Sequence, residues 1–239
     1  METTGYIALS HQMIMRREMD MVANNMANLN TTGFKSESLL FVEHLEKTPD
    51  GKTLSFARDV ATVRDLSPGE LSVTNNPLDF AIDGEGYFQV STPDGERFTR
   101  AGNFTLDDLG RIVTPAGDPL LSDAGAEIII PLNDGDITVA EDGTLSTDSG
   151  QIAKVGVFGF ENEQRLTKVE GQLFDPGEER PELLVDGKVE QGMIEGSNVK
   201  GVVEVTRMID TARSYEMANR LVEDENRRIR QMIEGIIQA

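Results

Sequence analysis

The sequence predicts a mixed α and β protein. Long N- and C-terminal helices pair as a coiled-coil domain, and a central, mainly antiparallel β domain lies between them in the chain. Three observations predict this. All ten Met residues fall within 1–26 or 193–232, all nine Pro residues within 49–181, and all ten Phe residues within 34–174. Both ends lack Pro and repeat apolar residues at helical spacing. The centre alternates apolar and polar residues between Asp-Gly pairs, which is the chemistry of strands and tight turns.

The first element, 1–34, reads as one helix over 3–29. Its seam is Met15, Met19, Val22, Met26 and Leu29, in alternating steps of four and three. Traced backward the seam meets Gln12 and Ala8 and weakens, while Tyr6, Leu9 and Met13 add a second apolar flank. The run Asn28-Leu29-Asn30-Thr31-Thr32-Gly33 ends the helix, and Gly33 suits a left-handed terminating position. Asn24, Asn25, Asn28 and Asn30 are many amides for one helix end. They either cap and meet solvent or bond across packed helices. Phe34 either anchors the turn toward the β domain or is an ordinary core aromatic.

Residues 35–75 read as a linker or extended arm. They hold a Pro/Asp/Gly stretch, one short strand candidate near 54–56, and Ser67-Pro68-Gly69. The β domain spans 76–194, with strand candidates at 78–82, 87–90, 97–100, 128–130, 137–139 and 155–160. Asp-Gly pairs at 50–51, 83–84, 94–95, 134–135, 142–143 and 186–187 are turn candidates, and 171–181 is loop-rich.

The last element, 195–239, opens with Ser197 and Asn198 as N-cap candidates. A helix over 199–237 would span about 58 Å at 1.5 Å per residue. Its seam is Val205, Met208, Ala212, Tyr215, Asn219, Val222, Asn226, Ile229, Ile233 and Ile236. Asn219 and Asn226 on that seam fix register at some cost in stability. Glu216–Arg220, Glu223–Arg227 and Asp224–Arg228 are favourable i,i+4 pairs.

Burying the five seam residues of the first helix yields at most about 7–15 kcal/mol. Ordering its backbone costs about 25–50 kcal/mol, only partly offset by helix hydrogen bonds. Two readings follow. The ends are largely unfolded in a free monomer and become ordered in a polymer, or they form an intramolecular hairpin docked on the β domain.

The formal net charge is −20, of which −19 lies in 36–194. An acidic body repels nucleic acid and anionic membrane, so neither is an expected partner. With no Cys, disulfides, thiolate zinc sites and Cys nucleophiles are excluded. No basic segment precedes an apolar one at the start, so no cleaved signal peptide is expected. The longest central apolar run, 128–132, is far too short to insert in a bilayer.

Chemistry is sparse. His11 and His44 are the only histidines. Gly84-Glu85-Gly86 lacks the third glycine of a dinucleotide fingerprint, because Gln89 stands there. Asn133-Asp134-Gly135-Asp136 resembles part of a calcium loop but lacks the later Glu, and reads as a turn. No catalytic, cofactor-binding or metal-binding residue is assigned.

The run Ala23-Asn24-Asn25-Met26-Ala27-Asn28-Leu29-Asn30-Thr31-Thr32-Gly33-Phe34-Lys35 resembles the N-terminal signature of bacterial flagellar rod and hook proteins. Glu195-Gly196-Ser197-Asn198-Val199, with Met208-Ile209 and Arg213-Ser214-Tyr215-Glu216, resembles their C-terminal signature. The interior fits through Asn76-Pro77-Leu78-Asp79-Phe80 and Thr99-Arg100-Ala101-Gly102-Asn103-Phe104, so the resemblance covers essentially the whole chain. Within the family, the overall length and the opening Leu9-Ser10-His11-Gln12-Met13 with Arg16-Arg17-Glu18 look most like members of the proximal rod. A distal-rod or hook-type member is the alternative, although 46–64 does not obviously carry the insertion seen in distal-rod members.

The resemblance implies a structural subunit with no cofactor, located in the periplasmic rod of the flagellar basal body. It implies export through the flagellar type III apparatus without signal cleavage. The implied partners are copies of itself and other rod proteins in a helical tube, with the termini as an inner coiled-coil layer. The implied assembly residues are the two seams, with the signature residues Asn24, Asn25, Asn28, Asn30, Gly33, Phe34, Ser197 and Asn198. Two other classes compete: a secreted enzyme with a carboxylate pair in the β domain, and an extracytoplasmic binding module whose helices oligomerise it.

Overall fold

A computed structural model describes residues 2–47, 53–131 and 135–237. The chain divides into two compact units, which weave through one another in sequence. Unit 1 comprises Met1–Ala27, Ser36–Asp65 and Val199–Ala239, and unit 2 comprises Asn28–Lys35 and Leu66–Asn198. The chain therefore crosses between units four times, after 27, 35, 65 and 198.

Unit 1 contains helix α1 (Glu2–Ala27), strands β1 (Glu37–Lys47) and β2 (Thr53–Arg64), and helix α2 (Gly201–Ile237). Both helices run long because Pro is absent from them and the good helix formers Met, Arg and Glu are frequent across the two. The two strands pair antiparallel from Glu37↔Arg64 to Lys47↔Thr53, with a bulge at Leu40/Phe41. Most of the segment expected as a linker or arm is thus a long hairpin, and the 54–56 strand candidate lies inside β2. A Pro/Asp/Gly cluster reads as loop from the sequence, whereas pairing of its two flanks is a non-local event that local propensity does not carry. The turn chemistry at 50–51 lies outside the described residues.

In unit 2, β3 (Leu71–Val73), β4 (Phe80–Asp83), β5 (Tyr87–Thr92) and β6 (Gly95–Thr99) come first. The β5–β6 hairpin closes around Pro93-Asp94, with Thr92 opposite Gly95. It forms the centre of a six-stranded sheet flanked by Leu173–Asp175 and Val157–Gly159, with Thr167–Lys168 and Glu182–Leu183 at the edges. Every ladder among the described residues is antiparallel. β3 pairs with Met193–Glu195 and β4 with Lys188–Gln191, so the two ends of this unit's chain lie side by side.

Successive side chains of a strand point to opposite faces. On β5, Phe88 and Val90 enter one core with Phe80, Phe104, Ile112 and Leu120, while Tyr87 enters another with Phe98, Phe158 and Phe174. Phe88 meets Phe104 edge-on at 5.5 Å between centroids. The central strand is therefore buried on both faces, which explains the placement of the aromatics. The strand candidates at 78–82, 87–90, 97–100, 137–139 and 155–160 all overlap observed strands. The 128–130 run does not form one; it makes an isolated bridge through Arg111↔Ile129, with Ile128 and Ile130 buried.

Candidate functional site

Within unit 1, α1 and α2 run antiparallel. Gln12 Nε2 donates to Asn219 Oδ1 at 3.2 Å, and Asn25 Nδ2 to Glu204 Oε2 at 3.2 Å. Advancing along α1 thus retreats along α2. On α1, Ile14, Val22 and Asn25 are buried, while Met15, Met19 and Met26 are half-buried. Leu29, the last expected seam residue, lies past the helix in a half-buried turn.

The inward stripe of α2 differs from the expected one. It runs Glu204, Met208, Thr211, Tyr215, Ala218 and Val222, with Glu204 and Thr211 buried and the others half-buried. Met208, Tyr215 and Val222 belong to both stripes, and Ala212 is half-buried beside them. Val205 is 44% exposed and Ile233 51% exposed, so neither lies on the covered face. The side chain of Ile229 lies outside the described residues. The displacement has a physical cause: apolarity alone favoured Val205 over Glu204 and Ala212 over Thr211, yet Glu204 is buried because Asn25 and Arg207 satisfy its carboxylate.

Asn25 joins three elements through one side-chain amide. Its Nδ2 donates to the Glu37 carbonyl at 2.8 Å, and its Oδ1 accepts from the Glu37 N–H at 3.1 Å. One side chain therefore ties α1 to the first residue of β1 and to α2. Arg64, opposite Glu37 in the hairpin, meets its carboxylate at 3.4 Å. Asn24 and Asn30 are exposed, while Asn28 accepts from the Thr31 hydroxyl at 3.1 Å in the turn after α1.

The remaining signature residues belong to unit 2. Gly33 has φ of 69°, and a Cβ there would overlap the backbone of Arg100 and Ala101. Phe34 is fully buried, with Lys168 Nζ 4.0 Å above its ring. Ser197 and Asn198 precede α2 rather than capping it, since the N–H groups of Val203 and Glu204 bond to the Lys200 carbonyl. Asn198 instead donates its side-chain amide to the Ser67 carbonyl at 3.0 Å and its backbone N–H to the Phe34 carbonyl at 3.3 Å.

A buried charge cluster beside these residues escaped the sequence reading. Glu195 Oε1 accepts from Lys35 Nζ at 2.6 Å and from the Gly69 N–H at 2.8 Å, and Oε2 accepts from Arg100 at 3.1 Å. Lys35 also donates to the Ser67 carbonyl at 2.8 Å, and Arg100 to the Gly84 carbonyl at 2.7 Å. Both ion pairs are almost wholly buried. Burial holds the Lys35 ammonium below its ordinary value of 10.5, against the Glu195 carboxylate that favours its charge. The only signal in the sequence was position: Lys35 closes the first signature and Glu195 opens the last.

Unit 1 leaves apolar side chains in solvent. Val202 is 84% exposed, Met13 65%, Met217 64% and Leu221 53%. A groove of about 540 Å³ runs beside the helix pair, formed by Met15 and Glu18 of α1 with Val202, Val203, Thr206 and Asp210 of α2. Among the described residues, no group of three or more His, Cys, Asp or Glu is placed to hold a metal ion. His11 is exposed, and Asn133 and Asp134 lie outside the described residues. No described helix is long and apolar enough to cross a membrane.

Three family models match the chain: "Flagella basal body rod protein" at residues 6–35, "Flagellar hook protein FlgE/F/G D1 domain" at 81–147, and "Flagellar basal body rod FlgEFG protein C-terminal" at 190–234. A protein of Caulobacter vibrioides named "Flagellar basal-body rod protein FlgF" is 36% identical over 99% of this chain and 98% of its own. A protein of Rhizobium meliloti with the same name is 32% identical over 99% of this chain and 98% of its own. A protein of Buchnera aphidicola named "Flagellar basal-body rod protein FlgG" is 32% identical over 90% of this chain and 92% of its own.

Proposed function

The chain belongs to the flagellar basal-body rod protein family, and from that membership we infer a structural subunit that polymerises through its two terminal helices. It is a rod protein of the basal body, and its partners are other rod and hook-type proteins. The helices α1 and α2 supply a coiled-coil layer, which they complete with neighbouring subunits rather than alone. Stacking into a tube requires heterologous contacts, in which one surface meets a different surface of the next molecule. The proximal section of the rod is the favoured place, because a relative named FlgF reaches 36% identity over nearly the full length of both chains, while a relative named FlgG reaches 32% over 90% of this chain. Export through the flagellar type III apparatus, without a cleaved signal, completes the reading. Nucleic acid has no role in it, and neither does catalysis.

One observation carries the assembly role: a paired helical unit that still exposes Val202, Met13, Met217 and Leu221. Apolar area left in water at about 25 cal/mol per Å² drives association when a partner covers it. The test is purification of basal bodies from a strain whose only copy of the gene carries an epitope tag. The expected result is the tagged chain in rods, and loss of rods on deletion of the gene. Intact rods that lack the tagged protein would overturn the reading.

A further inference from the structure

We propose that Glu195 is a positioning residue for assembly: its buried carboxylate holds three stretches of unit 2 together at the places where the chain leaves for unit 1. The proposal rests on the rod-subunit reading and adds a mechanism to it. Three of the four crossings lie near its contacts: Glu195 touches Gly33 and Lys35 just before the crossing after 35 and Gly69 just after the crossing after 65, and it stands itself just before the crossing after 198. Its two carboxylate oxygens take Lys35, Gly69 and Arg100, and its carbonyl takes the Gly33 N–H at 2.8 Å. The Gly196 N–H bonds to the Glu70 carbonyl at 2.9 Å, and a Cβ at Gly69 would fall on the Gly196 carbonyl oxygen. These backbones are too close to admit a side chain between them, so the stretches of unit 2 around Gly69 and Gly196 have little freedom relative to one another.

A lone buried ion pair is weak evidence of purpose, since apolar residues of similar volume often replace it without loss. Here the arrangement is different in kind. One anion serves two cations, and each cation also bonds to a separate backbone carbonyl, Ser67 for Lys35 and Gly84 for Arg100. Lys35 and Arg100 share the single Glu195 carboxylate, so these two buried ion pairs hold two positive charges against one negative. Neutralising Glu195 takes the shared carboxylate from both cations and leaves only the weaker attraction of Glu163 on Lys35. Removing Lys35 leaves a balanced Arg100–Glu195 pair. The cluster therefore ranks its own variants: Glu195→Gln is worst, Lys35→Met is mild, and the double variant lies between them. A space-filling role predicts the opposite order for the double variant, which would be worse than either single change.

The test uses the full chain. Amide hydrogen exchange is followed at Gly33, Gly69, Gly196 and Asn198, with Phe88 and Phe98 in the core as reference. In Glu195→Gln, exchange at the four junction amides rises together by about 100-fold or more, while the reference amides change less than about threefold. Lys35→Met raises them by about tenfold or less, and Lys35→Met/Glu195→Gln recovers part of the Glu195→Gln loss. In cells, Glu195→Gln is produced at the normal level yet incorporated into rods poorly, and the double variant is incorporated better. Exchange changes confined to the residue substituted, or a double variant worse than Glu195→Gln, would overturn the proposal. Normal incorporation of Glu195→Gln would also overturn it while leaving the rod reading intact. Absence of the unmodified chain from rods would instead sink the rod reading.

Discussion

Replacing Asn25 by Asp tests the polar layer of unit 1 with almost no change of shape. Asn25 Nδ2 donates to Glu204 Oε2 at 3.2 Å and to the Glu37 carbonyl at 2.8 Å, with Asn25 1% and Glu204 5% exposed. Asp supplies no donor when ionised, and it sets a second carboxylate against the first. Two like charges at that separation repel by about 5 kcal/mol at an effective dielectric of about 20. The pair escapes part of this by sharing a proton, as close carboxylates do, and Arg207 at 3.0 Å from Glu204 offsets some more. The expected loss is therefore about 3–5 kcal/mol of unit 1 stability at neutral pH. It shrinks as pH falls and the shared proton restores a donor. Urea unfolding followed by the helical signal, repeated between pH 5 and about pH 8, reads both effects. Adding Glu204→Gln, which returns a donor and removes the repulsion, recovers most of the loss. A single variant within about 0.5 kcal/mol of the original, insensitive to pH, or a double variant no better than the single, would refute the reasoning.

Three further outcomes follow from the geometry. Val222→Asp and Met26→Asp place a charge on the half-buried faces of α2 and α1; they abolish motility in soft agar while the tyrosine and phenylalanine environment of unit 2 stays unchanged by near-ultraviolet circular dichroism. Gly33→Val forces a branched side chain into φ of 69° against the Arg100–Ala101 backbone; unit 2 loses at least about 2 kcal/mol in denaturant titration. Lys35 is held below its ordinary 10.5 by burial, against attraction from Glu195 and Glu163 and with repulsion from Arg100. Between its folded and unfolded pKa values the unfolded chain binds more protons, so this group makes stability rise with pH across that alkaline window. Lys35→Met removes that rise, and parallel pH profiles for the two proteins would count against it.

The partition of Met, Pro and Phe, the Asp-Gly turns and the alternation around Phe80 and Phe88 were sufficient to read helical ends and a mainly antiparallel β centre. These features depend on local periodicity, which every residue reports for itself. The two sequence signatures likewise sufficed to place the chain in its family, because they are contiguous runs. Other features stayed hidden because they depend on distant partners. The β1–β2 hairpin pairs residues across a break that reads as loop. The stripe on α2 turned by one position, because a buried Glu or Thr counts as polar until its partner is known, and Asn25 lies 179 residues from Glu204. The Lys35–Glu195–Arg100 cluster joins positions 160 and 95 residues apart. Periodicity by itself determined the two terminal helices and several strands of the centre, and roughly where they lie. The tertiary structure alone decided which of two adjacent stripes is covered and which charges can be buried, because both depend on the desolvation of groups that only the folded chain brings together.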